Sequence, residues 1–216
     1  GEPDESLIHQ ARKRLEERFD PVHGGFEKAP KFPSPHLLLF LMQYSSTFRD
    51  EKALDMCRQT LEKMRLGGIY DQIGFGFHRY ATDPAWRVPH FEKMLYDQAL
   101  LMLVYAEGWR LTGDPFFRQT VHEIASYLSE RLTSGDDGFY SAEDAESEGI
   151  EGKYYLWELK EIGEILDPAD AALVAELFNL EPDGNYLDEA TRSRTGLNLL
   201  WMEKRPEEFA AERGVS

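Results

Sequence analysis

An all-α fold is predicted for this chain of 216 residues, and three features of the sequence predict it. Apolar residues recur at three- and four-residue steps through most of the chain, which is typical of helices. Segments with one apolar stripe alternate with segments that are apolar on most faces, which indicates exposed and buried helices in two layers. Paired glycines beside an aromatic residue recur at intervals of roughly 45–70 residues, which indicates a repeat of helical hairpins.

Seven helices follow from the apolar pattern and from proline at several first turns. They run from Ile8 to Phe19, Pro35 to Thr47, Leu54 to Met64, Pro89 to Leu111, Pro115 to Leu132, Glu158 to Leu166 and Pro168 to Leu177. The second and fourth are apolar on most faces, so we expect them to be buried. Between the fifth and sixth, residues 138–142 and 152–157 predict a small β-hairpin with an acidic tip. No closing element is predicted after Glu203.

Composition excludes several classes of function. The chain has 40 acidic and 24 basic side chains and a formal net charge of −16, which argues against a nucleic-acid partner. No apolar run approaches the roughly 20 residues that a membrane span requires. Cys57 is the single cysteine, so the chain has no internal disulfide and no zinc or redox Cys-x-x-Cys site. The first residues lack the form of a signal peptide, and we expect a cytoplasmic protein.

Five segments carry a specific resemblance. They are GGFEKAPKFP from Gly24, GGIYDQI from Gly67, GFHRYATDPAW from Gly76, VPHFEKMLYDQA from Val88 and FYSAEDA from Phe139. Together they resemble the spermatogenesis-associated protein 20 family, and the resemblance covers nearly the whole chain.

The resemblance implies a fold and a domain organisation, and it implies no particular reaction. The family toroid is similar to six-hairpin glycosidases and to N-acylglucosamine 2-epimerase, so the implied fold is a ring of paired inner and outer helices. We expect residues 1–216 to form a single domain, a partial (α/α)6 toroid with about half of its hairpins. The thioredoxin-like domain of the family is absent from this sequence.

The strongest group of candidate site residues opens the predicted fourth helix. His90, Lys93 and Asp97 are spaced to share one helix face, and Glu92 and Tyr96 form a second pair four residues apart. Polar groups on an otherwise apolar helix need partners or a water-filled cleft. We therefore expect a substrate cleft at the N-terminus of this helix, the alternative being a buried polar network.

The loop before that helix supplies further candidates. Tyr70, Asp71, His78, Arg79 and Trp86 lie on about 20 residues of loop, and loops of that length in compact domains are usually functional. Aromatic faces suit the C–H face of a sugar, and charged groups suit its hydroxyls. The alternative is that these side chains only anchor the loop.

Two adjacent carboxylates, Glu143 and Asp144, follow the first strand of the predicted hairpin. A glycosidase needs two carboxylates on opposite sides of the bond that is cleaved. Adjacent strand residues face opposite ways, so one of these two would pair with Asp71, Glu92 or Asp97.

An epimerase would instead need a base on each face of the substrate carbon, and His78 and His90 are the suitable pair. No metal site and no cofactor are predicted, because the spacing of ligand-type residues matches no established pattern. Tyr155 is expected to add an aromatic contact to the substrate.

These observations predict a carbohydrate-processing protein, glycosidase-like or sugar-epimerase-like, whose substrate is a small polyhydroxy compound such as a sugar. The alternative is a non-catalytic ligand-binding or scaffolding toroid attached to a thioredoxin-like domain. Buried-type helices at the open edge of a half ring also predict self-association. The catalytic candidates are His90, Glu92, Asp97, Asp71, Glu143 and Asp144, and the substrate-binding candidates are Tyr70, His78, Arg79, Trp86, Lys93, Tyr96 and Tyr155.

Overall fold

A computed structural model describes residues 4–136, 138–187 and 193–215. Most of the described residues with regular structure are helical. The helices are α1 (Glu5–Arg18), α2 (Pro35–Phe48), α3 (Glu51–Leu66), α4 (Leu95–Thr112), α5 (Pro115–Tyr127), α6 (Leu159–Ile165), α7 (Pro168–Leu177) and α8 (Pro206–Arg213). A π-helical turn at Leu128–Leu132 prolongs α5, and a 3-10 turn covers Lys153–Tyr155.

The strands are two residues long and occur in four antiparallel pairs within the described residues. The pairs are β1 (Tyr80–Ala81) with β2 (Pro89–His90), β3 (Lys93–Met94) with β4 (Ala142–Glu143), β5 (Glu146–Ser147) with β6 (Ile150–Glu151), and β7 (Trp157–Glu158) with β8 (Leu197–Asn198).

Local chemistry sets the helix starts. The side chains of Asp50 and Asp114 accept hydrogen bonds from backbone N–H groups in the first turns of α3 and α5, which satisfies donors that the helix itself leaves free. Proline begins α2, α5 and α7, where its missing N–H costs nothing. Because these signals are local, most predicted helices are confirmed to within a few residues.

The core lies where α2 packs on α3 and α4, and where α4 packs on α5. Leu38, Leu61, Leu101 and Val104 from these helices are fully buried there. Cys57 is also fully buried, and burial raises the pKa of its thiol, so this cysteine is an inert packing residue.

The predicted start of the fourth helix at Pro89 is wrong. Residues 89–94 are extended and form β2 and β3, and α4 begins only at Leu95. The hydrogen bonds that replace the first helical turns come from distant segments, because β2 pairs with β1 and β3 pairs with β4. The Leu95 N–H likewise donates to the Ser141 carbonyl at 2.9 Å.

The predicted β-hairpin is wrong, because residues 138–142 and 152–157 do not form strands that pair with each other. The hairpin forms inside the acidic segment, between β5 and β6, and it turns at Glu148 and Gly149, which both have positive φ. Two such residues build the tight turn that matches strand twist. The flanking segments pair elsewhere, β4 with β3 and β7 with β8.

The tail after Glu203 also differs from expectation, because residues 206–213 form α8. Arg205, just before it, binds Asp114 at 2.7 Å and Glu62 at 2.5 Å. These ion pairs join the tail to the N-cap of α5, which is Asp114, and to α3, which contains Glu62.

The fourth helix is less buried than predicted. Leu100, Leu103 and Trp109 on α4 are exposed, whereas Leu101 and Val104 are fully buried. Leu100 and Leu103, three residues apart, share one face of α4 and leave an apolar patch uncovered there, whereas Trp109 lies on a different face beside Arg118. Across the described ranges, no helix combines the length and the apolarity that a membrane crossing would demand.

Candidate functional site

The extended segment 89–94 sorts the predicted site residues into two groups. Successive side chains of an extended chain point to opposite faces. His90 and Glu92 therefore lie on one side, and Phe91 and Lys93 lie on the other. A helix would have put His90 and Lys93 on the same face, so the strand geometry separates residues that the sequence spacing had grouped.

An outer cluster, defined as Arg79, His90, Glu92, Tyr96 and Asp97, forms on the first side. Arg79 Nη1 donates to Glu92 Oε2 at 2.8 Å, and His90 Nε2 lies 3.8 Å from the same oxygen. Arg79 also interacts with the Tyr96 hydroxyl. The side chains of Arg79, His90 and Glu92 are partly exposed, so water reaches them.

His90 is held from two further directions. Its Nδ1 lies 2.7 Å from Glu151 Oε1 on β6, and its ring stacks on Tyr80 with centroids 5.1 Å apart. Glu151 belongs to the acidic tip of the hairpin that the sequence predicted, and it was not among the predicted site residues. Its contact with His90 spans 61 positions of the chain, and no local signal points to it.

Asp97 is the least satisfied member of the outer cluster. It lies in the first turn of α4, and its buried Oδ2 has no hydrogen-bond partner among the described residues. Burial raises the pKa of Asp97 to about 6, with the nearby Glu92 adding to the shift and Arg79 opposing it. A carboxyl group with such a pKa changes protonation close to neutral pH.

An inner cluster forms on the second side around Lys93, which is almost fully buried. Lys93 Nζ donates to Asp71 Oδ2 at 2.8 Å and to the Phe75 carbonyl at 2.8 Å. The ammonium group also lies 4.6 Å from the ring centroid of Tyr127 and 4.8 Å from that of Tyr155. Burial works against the charge on Asp71, but Lys93 holds the pKa of this carboxyl below its ordinary value.

His78 belongs to the inner group and is fully buried. Its Nδ1 lies 2.9 Å from the Phe91 carbonyl oxygen. A carbonyl only accepts, so Nδ1 carries the proton and Nε2 holds a free electron pair. Burial, together with the positive charge of Lys93, lowers the pKa of His78 to about 3. The imidazole is therefore neutral at physiological pH.

A cavity of about 260 Å³ lies beside the inner cluster. Its walls include Tyr70, Asp71, His78, Tyr154, Tyr155 and Trp157. The pair Leu199–Leu200 completes the apolar wall, and no residue of α4 lines this cavity. We name this feature the inner cavity.

Two predicted carboxylates lie apart from both the cavity and the outer cluster. Glu143 accepts hydrogen bonds from the Tyr127 hydroxyl and from Arg131, each at 2.8 Å. Asp144 is exposed and accepts the Glu146 N–H within its own turn. The two side chains diverge, as expected for neighbours on a strand, and Glu143 faces Lys93 across the β3–β4 pair.

Two predicted aromatic residues are anchors of the long loop. Trp86 is fully buried, and its Nε1 donates to the His23 carbonyl at 2.8 Å. The Tyr70 hydroxyl donates to Glu123 at 2.7 Å, and the Arg65 guanidinium lies 3.9 Å from the centre of its ring. Trp86 lies away from the cavity, whereas Tyr70 lines it.

Sequence reasoning missed Tyr154 and Trp157, which line the inner cavity together with Tyr155. The run from Tyr154 to Trp157 is the signal that could have found them, because aromatic side chains cluster there in a Gly-flanked segment. Within the described residues, no group of three or more His, Cys, Asp or Glu side chains could hold a metal ion.

Comparison with known proteins identifies the family. Spermatogenesis-associated protein 20 of Rattus norvegicus is 45% identical over 224 aligned positions, which cover 94% of this chain. The Homo sapiens protein of the same name is 44% identical over 164 positions, or 71% of this chain. The chain is a homologue of spermatogenesis-associated protein 20. It spans 28% of the length of the rat protein and 21% of the human one. No protein-family model matches the sequence.

Solved structures show the fold. Cellobiose 2-epimerase from Bacillus thermoamylovorans B4167 is similar with a TM-score of 0.54 and 12% identity, over 65% of this chain and 42% of that one. A sugar epimerase from a ruminal bacterium gives 0.54 and 16%, over 72% and 46%. An unsaturated glucuronyl hydrolase specific for heparin gives 0.52 and 15%, over 78% and 48%. These are α/α toroids, so the predicted fold is confirmed.

Proposed function

We propose that this chain forms part of a carbohydrate-processing site, and that the outer cluster is where a sugar binds and reacts. The observation that carries the proposal is Asp97, a partly buried carboxyl group with an unpartnered oxygen and a pKa raised to about 6 by burial. Unpaired buried carboxyl groups cost stability, and such costs are concentrated at functional sites.

The cluster supplies the groups that sugar chemistry needs. Asp97 can donate a proton to a leaving oxygen, because a pKa of about 6 keeps about a tenth of the group protonated at pH 7. Glu92 is held by Arg79, and two carboxyl groups in different environments are the usual acid and base of a glycosidase. The Tyr96 ring is exposed, so it can pack against the C–H face of a sugar.

Hydrolysis is favoured over epimerisation by the positions of the histidines. His78 donates to the Phe91 carbonyl on the inner side of segment 89–94, whereas His90 binds Glu151 on the outer side. Two bases on opposite sides of a chain segment do not face one substrate carbon. The two carboxyl groups, Glu92 and Asp97, belong to one cluster.

The test is turnover of a panel of sugars followed by proton NMR in D2O. Cellobiose, mannose, N-acetylglucosamine and a glucuronate-containing disaccharide distinguish the reactions. New reducing-end signals report hydrolysis, and loss of the C2 proton signal reports epimerisation. Asp97→Asn should lower the rate by roughly 100-fold or more, because it removes the proton donor. Asp55→Asn, the same change at an exposed site on α3, should leave the rate unaltered.

The scaffold alternative is supported by a different observation. Many of the predicted site residues are bound to one another, as in the pairs Arg79–Glu92 and Asp71–Lys93. A toroid that only supports other domains would neither turn over nor bind any sugar of the panel. An Asp97→Asn rate equal to that of the unsubstituted chain would equally overturn the catalytic proposal.

A further inference from the structure

The inner cavity is a feature that the proposed reaction does not use. It lies on the opposite side of segment 89–94 from the outer cluster, and its walls come from the loop at residues 68–78 and from residues 154–157 and 199–200. We infer that the inner cavity is a second binding site, and that it takes a small, neutral, hydroxyl-rich molecule such as a monosaccharide or cyclic polyol. This inference stands independently of the reaction at the outer cluster.

The polar groups of the cavity require a ligand that donates hydrogen bonds. Asp71 Oδ1 accepts the N–H groups of Ile73 and Gly74, and Oδ2 accepts Lys93. An ionised carboxylate has about four acceptor positions, so one on Oδ2 is still free. His78 offers a second acceptor, since its Nδ1–H is committed to Phe91 and its Nε2 keeps a lone pair. Hydroxyl groups meet both acceptors, whereas a carboxylate or phosphate meets neither.

The charge balance of the cavity favours a neutral ligand. The negative charge of Asp71 is compensated by Lys93, which is almost fully buried and bound to it. His78 adds no charge, because burial and Lys93 lower its pKa to about 3. A cation would therefore find a carboxylate that is already paired. An anion would meet only acceptors and would lose its hydration without replacement.

The walls and the size of the cavity indicate the shape of the ligand. Tyr154, Tyr155 and Trp157 line it with aromatic carbon, and Leu199 and Leu200 add aliphatic carbon. Such walls suit the C–H face of a ring compound that keeps its hydroxyls at the edge. The volume of about 260 Å³ is just below the roughly 300 Å³ at which sites for drug-sized ligands begin. One sugar ring fits this range, and a longer oligosaccharide does not.

Calorimetric titration of the whole chain tests the charge and hydrogen-bond requirements. The neutral probes are myo-inositol, D-glucose and D-mannose, and the charged probes are D-glucuronate and D-glucosamine. At least one neutral probe should bind, and it should bind roughly tenfold more tightly than its charged counterparts, because one unmet polar contact costs about that much. Binding of glucuronate as tight as that of glucose, or no binding by any neutral probe, would overturn the inference.

Substitutions locate the bound probe. Tyr154→Ala removes an aromatic wall and should weaken binding roughly fivefold. Tyr140→Ala is its matched control, because the two rings are 59% and 56% exposed and Tyr140 lies outside this cavity. Equal effects of the two substitutions would contradict the assignment.

His78→Asn tests the acceptor directly. The Asn amide can still donate to the Phe91 carbonyl, as His78 Nδ1 does, but it lacks a group at the Nε2 position. Binding should fall roughly fivefold while the circular dichroism spectrum is retained. If this variant fails to fold, the comparison of Tyr154→Ala with Tyr140→Ala still tests whether the probe binds in the inner cavity. Asp55→Asn, a change at an exposed site on α3, should leave probe binding unaltered. A chain that binds a neutral probe but turns over no sugar would separate this site from the proposed reaction at the outer cluster.

Discussion

Asp97 binds its proton more tightly in the folded chain than in the unfolded chain. Burial raises its pKa from an ordinary value of 3.8 to about 6. A carboxyl group whose pKa is raised by folding contributes stability below its unfolded pKa, and that stability is lost as the pH rises through the folded pKa. Ionised Asp97 is therefore a cost at pH 7 and above, consistent with a residue retained for a reason other than stability.

We predict that Asp97→Asn stabilises the chain at high pH. An amide carries no charge, so the variant avoids the cost of the buried carboxylate. The free energy of unfolding should rise by about 1–2 kcal/mol at pH 8, after allowance for solvent screening of this partly exposed group. Urea unfolding at pH 3.5, pH 5 and pH 8 measures the difference, which should fall to about half at pH 5 and shrink towards zero only below the ordinary pKa of 3.8. A variant of unchanged stability at pH 8 would show that Asp97 carries no such cost.

At the scale of single residues, the sequence predicted which side chains belong to the candidate site better than it predicted which of them are in contact. All five residues of the outer cluster were predicted as site residues, four of them from their polarity on an apolar segment and Arg79 from its place on the long loop. Their grouping was wrong, because Lys93 was placed with His90 and Asp97. Lys93 instead binds Asp71, 22 positions away. Residue spacing within a single helix cannot predict a contact between segments that far apart.

Among the elements, the segment around β6 and the following 3-10 turn positions one wall of the inner cavity. Gly152 ends this strand with a φ of 73°, and a methyl group on its Cα would overlap the Phe91 ring. That ring stacks on Tyr155 with centroids 5.6 Å apart. A displaced Phe91 would therefore also move a wall of the cavity.

We predict that Gly152→Ala destabilises the chain far more than Gly149→Ala. Both glycines have positive φ, so each substitution carries a backbone cost of about 1 kcal/mol. Gly149 has open space around it, whereas Gly152 faces the Phe91 ring, which adds about 1–3 kcal/mol of overpacking. Chemical unfolding of both variants measures the gap. Equal losses at the two positions would mean that the Phe91 contact is easily relieved.

Over the whole molecule, the uncovered apolar patch on α4 has the largest consequence. Leu103 is 58% exposed, and Leu100, three residues earlier on the same face of the helix, is 39% exposed. Exposed apolar surface of this kind favours association. The net charge of −16 opposes contact between two copies of the chain, and salt screens that repulsion.

We predict concentration-dependent self-association that strengthens with added salt and depends on α4. Leu103→Lys should abolish it, because a lysine at the centre of the contact would have to be desolvated. Val22→Lys makes the same kind of change at a residue that is 64% exposed outside the helices, and it should have little effect. Light scattering across a range of concentrations measures the mass. A chain that stays monomeric at high concentration and high salt would contradict the prediction.

The helical character of the chain and most helix bounds follow from the sequence by itself, as does the family. Apolar periodicity, aspartate caps and proline at first turns are signals that involve only a few neighbouring residues, so they can be recognised in the sequence without knowledge of the fold. Five motifs between Gly24 and Ala145 together indicated the family, and relatives at 44–45% identity confirm it.

Only the tertiary structure decided how the polar residues are grouped. Segment 89–94 is extended because β1 and β4 supply its hydrogen bonds, and these partners lie up to 50 positions away along the chain. Because of that pairing, Glu92 contacts Arg79 on one side of the segment and Lys93 contacts Asp71 on the other. Backbone pairing between distant segments depends on how the helices bring them together, and hydrophobic periodicity within one segment carries no information about it.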